Sequence, residues 1–105
     1  MIQTIHLQLT DPGNAWTDRE RHLLQMLVLH ICAHTNYRIL GKPMRVRPMV
    51  VSSIHLLLNH QLQFEDPVSE AEVKPFLESL QVELERTLSL CHLQKADILL
   101  LTESD

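Results

Sequence analysis

The sequence predicts an α+β domain with ferredoxin-like, split βαβ order (βαββαβ), two helices lying on one face of a four-stranded sheet. Three observations carry that prediction. Residues 2 to 9 alternate with period two, two capping boxes each open a helical apolar pattern, and extended stretches flank the second of those helices. At 105 residues the chain supports one core, since folding at that length removes roughly 65% of the unfolded surface from water. Residues 1–105 are therefore read as a single domain.

Ile5, Leu7 and Leu9 alternate with Thr4, His6 and Gln8, the period of a strand with one covered face. Asp11-Pro12-Gly13-Asn14 ends that strand as a turn. Thr17 followed three residues later by Glu20 is a capping box, so a helix starts there and runs to His34 or Thr35, with Asn36 as a left-handed cap. Leu23, Leu24, Leu27, Val28 and Ile31 form its expected buried stripe. Gly41-Lys42-Pro43 reads as a turn, and Pro48 limits a short strand between Met44 and Val51.

The stretch SSIHLLLNHQLQF fits two templates unequally. As a strand it puts Ile54, Leu56, Leu58, Leu62 and Phe64 on one side and His55, Asn59, Gln61 and Gln63 on the other, with His60 alone out of pattern. As a helix it leaves Leu56 well off the apolar face, so strand is the better reading. Asp66-Pro67 breaks the element. Ser69 to Glu72 is a second capping box, opening a helix to about His92 whose apolar side is Phe76, Leu77, Leu80, Leu84, Leu88 and Cys91. Pro75 either moves the start toward Lys74 or kinks the first turn. ADILLL then reads as a short buried strand before the polar tail TESD.

Composition places the chain among ordinary globular domains, with 45% apolar and 21% charged residues. Its longest uncharged apolar run, LLQMLVLHICA, is far shorter than the roughly 20 residues that span a bilayer, and MIQTIHLQLT lacks the basic start of a secretory signal. The expectation is a soluble, cytoplasmic protein with no membrane partner and with Cys32 and Cys91 reduced, since they match no disulfide framework. The net charge of −4 argues against general affinity for nucleic acid, but it is unevenly spread. No Asp or Glu lies between Arg21 and Phe64, where Arg38, Lys42, Arg45 and Arg47 cluster, and acidic residues dominate from Glu65 onward.

Candidate chemistry is sparse. With Gly13 and Gly41 the only glycines, no glycine-rich phosphate loop can form, and Ser52-Ser53 has no base at a fixed spacing. In HICAH, His30 and His34 lie about 40° apart and one turn removed on a helix, the geometry of a two-point imidazole site, whereas Cys32 lies about 160 to 200° around and cannot join the same ion. The competing reading is a pair of histidines at the edge of the buried stripe. The segment RILGKPMRVRP is either neutralised within the chain or binds an acidic protein, nucleic acid or a phosphorylated ligand.

The open sheet face should carry Thr4, His6, Gln8, His55, Asn59, Gln61 and Gln63, polar residues with no charge among them. That composition suits a wet interface as well as plain solvent. The leading functional expectation is a non-catalytic protein-interaction module, such as an adaptor, regulator or assembly chaperone, and not an enzyme. It would act without a cofactor through His6, His55, Asn59 and Gln61 on that face and through Arg38, Lys42, Arg45 and Arg47. Its partner would be a protein, acidic in character, in a homodimer or hetero-complex. The alternative is a small metal-binding domain, sensor or carrier, using His30 and His34.

Overall fold

The computed structural model describes residues 1–11, 16–50, 56–91 and 96–104. Its elements follow the expected order: β1 (Ile2–Thr10), α1 (Asp18–Ile39), β2 (Met44–Pro48), β3 (Leu56–Val68), α2 (Glu70–Leu90) and β4 (Asp97–Ser104). The strands form one antiparallel sheet in the order β2-β3-β1-β4, so β1 and β2 run parallel with β3 between them, as do β3 and β4 with β1 between them. That is the ferredoxin-like arrangement expected from element order. The Pro12-Gly13-Asn14 turn, Ser52, Ser53, Ile54, His55 and His92 lie outside the described residues.

One face of the sheet builds the core. Ile5, Leu7 and Leu9 of β1 and Leu58, Leu62 and Phe64 of β3 meet Leu24, Val28 and Cys32 of α1 and Val73, Phe76, Leu80, Leu84 and Leu88 of α2. The Phe64 and Phe76 rings meet edge to face, with centroids 6.3 Å apart and planes at 72°. Leu57 joins the core out of turn because the β1–β3 register shifts between Leu9 and Thr10, leaving one extra residue on β3. His60, out of pattern in the sequence, sits on the core face with 3% of its surface exposed.

Both helices start where the capping boxes imply, α1 with the full reciprocal box and α2 with the Ser69 side-chain cap. Thr17 Oγ1 accepts the Glu20 N–H at 3.2 Å while the Thr17 N–H donates to Glu20 Oε1 at 3.1 Å. The side-chain hydrogen bond to Thr17, and after it the backbone one, holds the Glu20 carboxyl below its usual pKa. Ser69 Oγ accepts the Glu72 N–H at 3.1 Å. α2 begins at Glu70 and passes through Pro75, so the start is not moved toward Lys74. The ring deprives the Ala71 carbonyl of its helical donor, but both residues are exposed and water can take the donor's place.

Several boundaries and faces depart from expectation. α1 runs to Ile39 instead of stopping near Thr35, and Asn36 lies inside it. The Asn36 carbonyl accepts the N–H groups of Leu40 and Gly41, its side-chain amide donates to the Lys42 carbonyl, and Gly41 at φ +63° takes the left-handed turn. β3 continues past Asp66-Pro67 to Val68, absorbing three extra residues between the Thr4–Gln63 and Ile2–Val68 pairs. β4 is an edge strand with Leu99 and Leu101 exposed, not a buried one. Cys91 is the C-cap of α2 and exposed, because the backbone leaves the helical period there.

The largest correction concerns α1. Its buried residues are Leu24, Val28, Cys32 and Thr35, with Ile31 partly buried, whereas Leu23 and Leu27, expected in the core, are 57% and 37% exposed. At about 100° per residue the buried line and the exposed line Leu23, Met26, Leu27, His30, His34 and Tyr37 lie about 150° apart, so α1 is apolar on two nearly opposite sides. Cys32 and Thr35 complete the docked side, at 0% and 1% exposed. No helix among the described residues is long and apolar enough to cross a membrane.

Candidate functional site

Directly opposed residues of an antiparallel pair point to the same side of the sheet. The register therefore sets out the uncovered face in rows running from β2 through β3 and β1 to β4. One row is Arg45, Gln63, Thr4 and Glu103; the next is Arg47, Gln61, His6 and Leu101; the third holds Asn59, Gln8 and Leu99. The face is thus cationic along β2, amide-rich along β3 and β1, and apolar with a carboxylate along β4. It is not free of charge, because its two edge strands supply cations and an anion, and Glu65 of β3 lines the cleft beside Arg45.

This geometry joins two features that were separate in the sequence. Arg45 and Arg47 stand on the same surface as His6, Asn59 and Gln61, because β2 pairs with β3 in a register that sets Arg45 against Gln63 and Arg47 against Gln61. Both arginines are exposed and have no ion-pair partner among the described residues. Along the other edge, His6 Nε2 lies 2.6 Å from Glu103 Oε2, a cross-strand contact that orients the imidazole. Beside Arg45, where β3 departs from β1, an open cleft of about 620 Å³ is lined by Gln3, Met44, Arg45, Gln63 and Glu65 among others. The Gln3 side-chain amide donates to the Phe64 carbonyl at its rim.

The other two cations of the basic segment are elsewhere. Arg38, in the last turn of α1, donates to Ser79 Oγ of α2, and Lys42 Nζ lies 3.8 Å from Glu72 Oε2. Both fasten α2 to the end of α1 and its following loop, so the segment divides into a structural half and a half facing outward. His55 lies outside the described residues.

His30 and His34 project from the exposed stripe of α1 with nearly coplanar rings, 6.3 Å between centroids and 8° between planes. They do not sit at the margin of the buried stripe. Among the described residues no third His, Cys, Asp or Glu joins them to form a metal-holding group. Cys32 points to the opposite side of the helix, where burial pushes its thiol pKa up to about 12, far from thiolate chemistry at neutral pH.

Two surface features were missed in the sequence. The run of three leucines in DILLL hid the alternation that puts Leu99, Leu101 and Glu103 on the open face; the strand order and period two together recover it. Leu23 and Leu27 of the exposed stripe of α1 read as core in the sequence, because leucines at helical spacing do not say which side of the helix meets the sheet.

The fold and this face define a small ferredoxin-like α+β domain whose uncovered sheet surface is charged at its edges and amide-rich between them. No family model matches the chain, and no curated protein matches it. Among solved structures, the chain is similar in backbone to a hydantoinase/carbamoylase family amidase from Burkholderia ambifaria, with a TM-score of 0.53 and 9% identity. The likeness covers 98% of this chain and 27% of the amidase chain, so the protein spans about a quarter of that structure's length, and at this identity the resemblance is one of fold.

Proposed function

We propose that the chain is a non-catalytic protein-interaction module, of the adaptor, regulator or assembly-chaperone kind, acting through the open sheet face together with Arg45 and Arg47. The observation that supports this reading most is the alignment of unpaired Arg45 and Arg47 with the amide row Gln61, Gln63 and Asn59 and with exposed Leu99 and Leu101 on one surface. Amides and arginines with exposed leucines at the margin are the chemistry of a wet interface. The fitting partner offers carboxylates to Arg45 and Arg47 of β2 and covers the exposed leucines of β4.

A photo-crosslinking residue in place of Gln61 should yield protein adducts, and the Arg45→Glu/Arg47→Glu variant should lose them by about tenfold or more, since reversed charges at an interface act against docking. Circular dichroism and melting temperature should stay unchanged, because both arginines are exposed and have no ion-pair partner among the described residues. The same crosslinker at exposed Glu78 of α2 serves as the control surface. Adducts that form equally at both positions, or that ignore the double reversal, remove the sheet face from the account.

The second reading, a metal-binding domain, is favoured by one observation, the adjacent exposed imidazoles of His30 and His34. Untagged protein purified without chelator should then hold zinc, nickel or copper at stoichiometric level, and His30→Gln/His34→Gln should release it. Metal-free wild-type protein by native mass spectrometry ends that reading.

A further inference from the structure

We infer that the partner of this face is a second copy of the chain, packed sheet against sheet about a two-fold axis parallel to the strands; this rests on the reading of the open face as an interaction surface. Arg45 and Glu103 share a row but stand on opposite edge strands, three strand spacings or about 14 Å apart, too far to pair within one chain. A two-fold along the strands keeps each row over itself while exchanging β2 with β4 and β3 with β1. Arg45 then faces Glu103 of the second copy, and the reverse, giving two symmetric ion pairs.

The same operation matches the rest of the face. Gln61 falls over His6 and Asn59 over Gln8, each pair able to exchange hydrogen bonds, while Gln63 falls over the buried Thr4. Arg47 falls over Leu101, on which its aliphatic stem can lie while the guanidinium reaches toward Glu103. Leu99 and Leu101, 46% and 52% exposed in one copy, are thereby covered. A two-fold across the strands instead sets β2 on β2 and opposes Arg45 and Arg47 with themselves, so charge selects the first axis over the second. Four strands of this length present about 500 Å² per copy, or about 1,000 Å² in total, the low end of specific interfaces.

Sedimentation velocity across a concentration series tests this with the full chain. Wild type should show a monomer–dimer equilibrium. Arg45→Glu and Glu103→Arg should each weaken it by about tenfold or more, because either reversal opposes like charges twice per dimer. An equimolar mixture of the two variants should restore association, since both cross-copy pairs become complementary in the heterodimer. Arg45→Gln and Glu103→Gln, which add no repulsion, should show the weaker loss if a reversal disturbs folding. A wild-type chain that stays monomeric, a mixture that does not reassociate, or a dimer indifferent to both reversals overturns the inference; the last result would place the contact on another surface, such as the exposed stripe of α1. If wild type is monomeric while Gln61 still crosslinks to a different polypeptide in an Arg45- and Arg47-dependent way, the interaction reading stands and the self-association does not. If Gln61 gives no specific adduct of any kind, both fall.

Discussion

Phe76→Ala should lower the stability of this domain by about 3–5 kcal/mol, the cost of removing a fully buried aromatic and leaving part of its volume empty. Phe76 is 0% exposed, lies on the buried stripe of α2 and meets Phe64 of β3 edge to face between helix and sheet. A domain of this size has about 5–15 kcal/mol in all, so the variant should sit near the edge of folding, with its melting temperature down by about 12 °C or more. Urea titration followed by circular dichroism provides the measurement. A loss under about 1 kcal/mol with an unchanged denaturant slope would mean that Phe76 is not the core residue described.

His60→Leu should do the opposite. The His60 ring is 3% exposed on the core face, and its Nδ1 has no hydrogen-bond partner among the described residues, so the wild-type fold carries the cost of an unsatisfied buried polar atom. Replacing it by an apolar side chain of similar volume should stabilise the domain by about 1–3 kcal/mol. Burial also holds the His60 pKa below 6.5, because a charged ring is desolvated there. The unfolded chain then binds a proton more readily than the folded one. Stability is therefore full above about pH 6.5, falls as the pH drops through that value, and levels off once the folded ring is itself protonated. The gap between variant and wild type should widen from pH 7.5 to about 5.5. A gap that is constant with pH would show that His60 does not titrate in the core, and a destabilised variant would show that the imidazole makes an interaction worth more than its burial costs.

These two residues mark how differently the core was legible in the sequence. Phe76 belongs to a stripe, Phe76, Leu80, Leu84 and Leu88, whose opposite side carries Glu78, Glu85 and Arg86, so one helical face is plainly apolar. His60 also lay on the period of the apolar side of its strand, but its residue type argued against burial, and period proved the stronger signal. Leu57 could not be found at all, since a bulge breaks the alternation without leaving a mark in the sequence.

The candidate site divides along the same line. His6, Asn59 and Gln61 were assigned to the open face from alternation, and that assignment stands for those three positions. Arg45 and Arg47 were singled out as a basic segment along with Arg38 and Lys42, but proximity in sequence could not separate the two cations that fasten α2 from the two that face outward. In the sequence Glu103 reads as part of a polar tail and Leu101 as the end of a buried run. They reach the face because β4 pairs with β1 at the edge of the sheet.

Local rules, acting over a few residues, were enough for the order of elements, both helix starts and the in-or-out alternation of β1. Capping oxygens, period two and period 3.6 are properties of short stretches, and the folded chain keeps them. Which side of α1 docks, where β3 bulges, whether β4 is buried or at an edge, and which cations share a surface all depend on pairs of residues far apart in the chain. Helix α1 shows the physical reason most clearly: with leucines on nearly opposite sides, its own periodicity offers two comparable faces. The choice falls to what the sheet and α2 present to it, residues far from α1 in the chain that close over Leu24, Val28 and Cys32.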